Sequence, residues 1–165
     1  MGRETGPPMA QLRAASALQR LVPPLVVLAM QAEQARWNGR GPSAIVLRDL
    51  ADALAADVAA WTGRVAERAA ALGFAVDARP TTVAGAGDPF LAGAGALHDP
   101  EAAHRLLGSL EHAADVSRHS VEDLRDTDQV ARRIAVDTLE GLDRHRWMLR
   151  AHDALARCGL DSSAS

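Results

Sequence analysis

The sequence predicts an all-α fold, a single bundle of four main helices, and three observations carry that reading. Apolar residues make up 48% of the 165, yet aromatics only 3%, with no tyrosine. A core of Ala, Leu and Val suits packed helices better than a sandwich or barrel. Leu47, Leu50, Leu54, Val58, Trp61, Val65, Ala69 and Leu72 step by three or four and draw one long stripe, the signature of an amphipathic helix. No segment shows a strand period and none repeats. A chain of this length is most simply one domain with a substantial core.

Residues 1–9 (MGRETGPPM) are polar and rich in Pro and Gly, and read as a mobile tail before a domain spanning 10–159. The first helix carries Leu12, Leu18, Leu21, Leu25 and Leu28, interrupted at Pro23 and Pro24. Proline is comfortable only in a first helical turn. The spacing therefore predicts either a short helix to Val22 and a fresh one to Trp37, or one kinked helix. Asn38-Gly39-Arg40-Gly41-Pro42 is a turn by composition. Ser43 then caps the second helix, which Gly73 ends.

Residues 74–98 alternate glycine with alanine around Gly85, Gly87, Gly93 and Gly95 and read as a long loop, unusual in a compact domain. Asp88-Pro89-Phe90-Leu91 suggests a short helical turn within it. Asp99-Pro100-Glu101 marks the start of the third helix, with Asp99 as cap, continuing through Leu107, Leu110, Ala114, Val121 and Leu124. Asp126 with Gln129 resembles a capping box for the last helix, which carries Ile134, Leu142 and Leu149 and stops at Gly159. Residues 160–165 read as a C-terminal tail.

The bulk properties narrow the class further. Cys158, the single cysteine, has no internal disulfide partner, which fits a reducing cytoplasm. The first 22 residues lack the charged start and unbroken apolar stretch of a signal peptide. The apolar run Leu21–Met30 is too short for a bilayer and holds two prolines, so no membrane is expected. A formal charge of −3 gives no sign of a dedicated nucleic-acid surface.

Chemistry-bearing residues gather on the second helix. Asp52 and Glu67 are fifteen positions apart, hence about 60° apart around the axis and roughly 22 Å apart along it. They cannot share a metal within one chain. If two copies of the helix pack antiparallel about a two-fold axis near residues 59 and 60, Asp52 of one lies opposite Glu67 of the other. Geometry permits that pair, and equally permits two ordinary solvated acids.

The surrounding motifs are more specific. Ala35-Arg36-Trp37-Asn38-Gly39-Arg40-Gly41-Pro42, then Leu47-Arg48-Asp49-Leu50-Ala51-Asp52, then Ala66-Glu67-Arg68-Ala69, follow the layout of a known pattern. It runs H-W-N-x-x-G, L-H-x-x-x-D and A-E-R. Gly141-Leu142-Asp143-Arg144-His145-Arg146-Trp147-Met148-Leu149-Arg150-Ala151-His152 looks like its L-D-K-H-L-W-x-L-x-A-H. In these motifs, over about two-thirds of its length, the chain resembles the Dps miniferritins of the ferritin-like superfamily.

The resemblance implies a ferritin-like four-helix bundle with a short extra helix in the long loop between helices 2 and 3. It also implies a hollow dodecamer that oxidises and stores iron and shields DNA, in the cytoplasm or on the nucleoid. The family's ferroxidase site lies at a two-fold interface and mixes ligands from both chains. Carried over, its ligand positions fall at Arg36, Arg48, Asp52, Gly63 and Glu67, and only Asp52 and Glu67 keep the family's residues. A guanidinium keeps its proton, offers iron no lone pair and repels a cation. The ferroxidase centre therefore reads as degenerate, with a salt-bridge cluster in place of the metal and only weak iron binding left to Asp52 and Glu67.

The family's iron-entry pore is lined with acids near the start of the last helix. The usual acid falls at Arg133, beside Arg132, while Asp126 and Asp128 lie one turn earlier and can form an acidic ring. Twelve chains at −3 give a shell of about −36, which repels phosphates at long range, and the N-terminal stretch offers only Arg3 and Arg13. Two further readings stay open: a structural or co-assembling subunit alongside an intact paralogue, and a ferroxidase using another site.

The remaining motifs are weaker. His112 and His119, and His145 and His152, are each seven apart, two turns and about 10 Å, too far to chelate one metal. Packing or surface hydrogen bonding suits them better. Gly85-Ala86-Gly87 and Gly93-Ala94-Gly95 do not join a strand to a helix, which speaks against a dinucleotide loop. Cys158 lacks a histidine constellation and reads as structural. Trp37 and Trp61 read as helix-packing anchors.

Overall fold

The computed structural model describes residues 8–87 and 95–161. The elements are α1 (Met9–Asn38), β1 (Gly39–Arg40), α2 (Ala44–Ala71), α3 (Pro80–Gly85), β2 (Leu97–His98), α4 (Asp99–Asp123) and α5 (Gln129–Asp161). Four long helices close a ring: α1 packs on α2 and α4, and α5 packs on the same two. α2 and α4 are joined by a long connection that holds α3 and ends in β2, which pairs with β1.

One helix, not two, spans Pro23 and Pro24, and both prolines are buried within α1. Each removes a ladder donor, but Leu18, Leu21, Leu25 and Leu28 around them are fully buried. Burying a leucine contributes about 1.5–3 kcal/mol, so the packed face outweighs the interruption. Leu12, read as part of that stripe, is exposed. By length and composition α1 is also apolar enough to cross a membrane, contrary to the reading from Leu21–Met30 alone. Its apolar face is nevertheless taken up by the bundle core.

Ser43 occupies the N-cap position of α2, its carbonyl accepting Leu47 N at 3.1 Å. At the other end Gly73 takes φ +85°. Gly73 N donates to Ala70 O at 2.9 Å and Phe74 N to Ala69 O at 3.0 Å, the paired closure that needs a left-handed residue. The stripe buries Leu47, Leu54, Val58, Trp61, Val65 and Ala69, while Leu50 and Leu72 are partly covered.

Five local readings change. The extra helix lies at Pro80–Gly85; the turn expected at Asp88–Leu91 falls outside the described residues. Two-residue strands do exist: β1 pairs in parallel with β2, Gly39 with Leu97 and Arg40 with His98. This bridge ties the end of α1 to the entry of α4. His98, not Asp99, is the N-cap of α4, with Pro100 in its first turn. Asp128, not Asp126, caps α5, its Oδ1 accepting Ala131 N at 2.6 Å. The Gln129 side chain instead donates to Arg125 O at 2.7 Å. Helix α5 runs past Gly159 to Asp161; a lone glycine costs a helix only about 1 kcal/mol.

The loop after α2 is held by side chains. Gln19 donates to Asp77 O at 2.8 Å and accepts from Asp77 N at 2.9 Å. The Asp77 carboxylate takes Arg79 Nε at 2.9 Å and Thr82 Oγ1 at 2.8 Å. Bonds from the Arg79 side chain first, then Thr82, hold it well below the usual carboxylate range.

Candidate functional site

The close approach of α2 and α5 decides which face of α2 is left open. A β-carbon at Gly141 would come within 2.7 Å of Trp61 Cη2 and nearer still to Cζ2, so only glycine admits the indole edge. Beside it His145 is buried and shares a 2.8 Å hydrogen bond with Asp57 Oδ2, which also accepts Arg144 Nη2 at 2.9 Å. The Trp61 and His145 rings meet edge to face, centroids 6.1 Å apart. With Trp61 turned inward, Asp52, Ala56, Ala59, Ala60, Gly63 and Glu67 are exposed on the opposite side. At Gly63 an added β-carbon meets nothing within 4 Å.

Arg36 comes to this face from the last turn of α1. Its Nε and Nη2 donate to Glu33 Oε2 at 2.8 and 2.7 Å, and its Nε lies 3.8 Å from Asp52 Oδ1. The guanidinium also sits 5.5 Å from the centroid of the Trp37 ring, within reach of a cation–π attraction. Trp37 is 55% exposed, so it anchors this arginine on the surface instead of packing the core. Arg48 is exposed one turn before Asp52 and, among the described residues, forms no ion pair of its own. The sequence pointed to Arg36 and Asp52 but missed Glu33, whose i, i+3 spacing from Arg36 was the available signal.

Glu67 lies at the other end of the face, in an open groove of about 350 Å³ with Arg64, Arg68, Val130, Arg133 and Ile134. Arg64 bonds Asp137 at 2.7 Å, and Arg68 pairs with Asp128. Asp128 is thus engaged twice, as cap and as ion-pair partner. Burial pushes its carboxyl up, but the bonds from Arg68 and from Ala131 and Val130 N–H outweigh this and hold it below its ordinary value. Asp126 is exposed.

The donor set does not fit iron. Two of the five carried-over ligand positions present guanidinium, one presents a hydrogen atom, and Asp52 already faces a cation. Among the described residues no three His, Cys, Asp or Glu side chains are grouped to hold a metal ion. His112 is half-buried, and His119 Nδ1 lies 2.8 Å from Asp115 O; neither joins the face of Asp52 and Glu67.

Solved structures share this architecture along most of the chain. Dps from Microbacterium arborescens in the high iron form superposes with a TM-score of 0.83 at 27% identity, covering 91% of this chain and 98% of that one. Dps92 from Deinococcus radiodurans gives 0.82 at 23% identity, covering 87% of each. Dps from Vibrio cholerae O1, described as a member of a broad superfamily of ferritin-like diiron-carboxylate proteins, gives 0.78 at 18% identity, covering 86% and 89%. No family model matches the chain, and no curated protein matches it in sequence. The fold is therefore that of the ferritin-like class, an all-α four-helix bundle. Within that class the chain resembles the Dps miniferritins.

Proposed function

We propose that the chain is a subunit of a hollow, Dps-like shell of twelve copies that sequesters iron and serves in stress protection in the cytoplasm, without an iron-oxidising centre between its subunits. The Dps-like bundle supports the shell. The observation that carries the loss of oxidation is Arg36 at a ligand position, bonded to Glu33 and 3.8 Å from Asp52. Exposed Trp37, Ile45, Val46 and Trp147 are apolar surface of the kind that marks protein contacts, and support assembly. Iron is cargo in this reading, and DNA shielding is secondary because the shell's net charge opposes it.

Light scattering tests the assembly: a particle near twelve times 17.4 kDa is expected at micromolar concentration. A monomer or an isolated dimer would refute the shell. The same arginines favour a second reading, a structural subunit that co-assembles with an iron-oxidising paralogue, and co-purification of such a chain from the native source would select it. Metal analysis of the purified protein tests the third, a ferroxidase with a site elsewhere.

A further inference from the structure

We propose that the groove between α2 and the start of α5 is a binding site for a small zwitterion, an α-amino acid with an apolar side chain. Arg133 takes its carboxylate and Glu67 its ammonium group. The groove is lined by Arg64, Glu67 and Arg68 from α2 and by Val130, Arg133 and Ile134 from α5. Its volume of about 350 Å³ falls at the small end of the range for small-molecule sites. The proposal concerns a single chain and stands apart from the shell reading.

Charge decides the class of ligand. Three arginines and one glutamate line the groove, and that count alone would favour an oxyanion. Two of the arginines are already engaged, however. Arg64 Nη2 donates to Asp137 Oδ2 at 2.7 Å, and Arg68 pairs with Asp128. Each pair cancels, which leaves one cation and one anion. These are Arg133 and Glu67, both exposed and, among the described residues, with no ion pair or side-chain hydrogen bond of their own. A phosphate is drawn to the first and repelled by the second; a bare amine meets the reverse. A molecule that carries both signs and no net charge meets neither penalty.

The shape of the groove supplies the rest. Glu67 and Arg133 stand on different helices and do not touch across the opening, so each keeps its full bonding capacity. Arg133 presents a planar fork of donors that matches the two oxygens of a carboxylate. An ammonium group has only donors, and the Glu67 carboxylate only acceptors. Val130, 53% exposed, and buried Ile134 give the groove its apolar surface. Covering that surface rewards an apolar side chain on the ligand, so leucine should bind better than glycine.

Equilibrium dialysis of the purified full chain against labelled leucine, with chelator present so that metal takes no part, tests the site. Saturable binding in the millimolar range is expected. The competitors are 4-methylpentanoate, which lacks the ammonium group, 3-methylbutylamine, which lacks the carboxylate, and inorganic phosphate. Each should compete at least tenfold more weakly than unlabelled leucine, as loss of one charge-assisted contact requires. Arg133→Gln and Glu67→Gln should each weaken leucine binding at least tenfold, with circular dichroism confirming that both stay helical. They should also differ: Glu67→Gln keeps the binding of 4-methylpentanoate, and Arg133→Gln abolishes it. Absence of saturable leucine binding would overturn the proposal, as would leucine binding that neither variant changes. Phosphate that displaces leucine, and does so better in Glu67→Gln, would overturn it in favour of an oxyanion site.

Discussion

Replacing Gly141 with alanine tests the contact that orients α2. On helix propensity alone the change should stabilise by about 1 kcal/mol. The packing says otherwise. Carbon atoms rest at about 3.5–4.0 Å, whereas the new β-carbon would lie 2.9 Å from Trp61 Cε2, 2.7 Å from Cη2 and closer to Cζ2. Three atoms of a rigid indole cannot step aside as a flexible chain end can. Trp61 is only 9% exposed and lies against buried His145. Overpacking of this kind costs about 1–3 kcal/mol or more. With three ring atoms involved the upper end applies, and about 2 kcal/mol of net loss remains after the propensity gain. For a chain of this size that lowers the melting temperature by roughly 4–8 °C. Urea and thermal unfolding at fixed protein concentration measure it. Trp61→Phe in the same background should recover part of the loss, a coupling of at least about 0.5 kcal/mol. A Gly141→Ala protein that is more stable than wild type would refute the close-contact argument.

Asp128→Asn keeps a good helix cap but removes the charge that Arg68 holds. It should cost about 1 kcal/mol at neutral pH. Because the folded-state carboxyl is lowered, its contribution is present above the unfolded value and fades as pH falls through the folded one. The gap in urea midpoint between variant and wild type should therefore close below about pH 4. Gln19→Ala removes both bonds to the Asp77 backbone and should cost about 1–3 kcal/mol, with faster proteolytic cleavage near residue 77 than in wild type. Ferrous oxidation by the assembled protein should stay near the uncatalysed rate with oxygen or peroxide, read by ferric absorbance. Rapid peroxide-driven turnover would contradict the reading of Arg36 and Arg48.

The long elements were legible because their signals are local. The stripe from Leu47 to Leu72 and the left-handed Gly73 follow from side-chain period and backbone sterics. Pro23 and Pro24 left two alternatives open, and one helix continues because a local cost of a few kcal/mol is outweighed by long-range burial of the leucines around them. The cap of α5 shifted because Asp128 has a partner across the bundle, Arg68, sixty residues away, and Asp126 has none of that kind among the described residues. Short α3 was expected in this loop but not placed at Pro80–Gly85, because six residues carry no period and the segment before it is held by Gln19 of α1 through the Asp77 backbone. At the site the same rule held. Arg36, Arg48, Asp52, Gly63 and Glu67 came from a motif. The partners Glu33 and Asp57 depend on which side chains tertiary packing brings within reach.

Arginine and histidine at a contact between subunits respond to different conditions. A neutral imidazole contributes no charge; it recruits a metal, and the metal supplies the positive charge that two opposed carboxylates require. Such a contact strengthens when metal is present and weakens when protons compete for the ligands. Arginine supplies the charge itself, permanently and without a vacant coordination position. An interface built this way gains independence from metal supply and loses the open position that oxidation needs. Storage and oxidation then separate. Under the proposed function a shell of such subunits would still enclose a volume, and iron would be oxidised in solution or by another chain. That separation links the degenerate ligand set to the co-assembly reading: a subunit that closes the shell at any iron concentration complements one whose contacts await the metal.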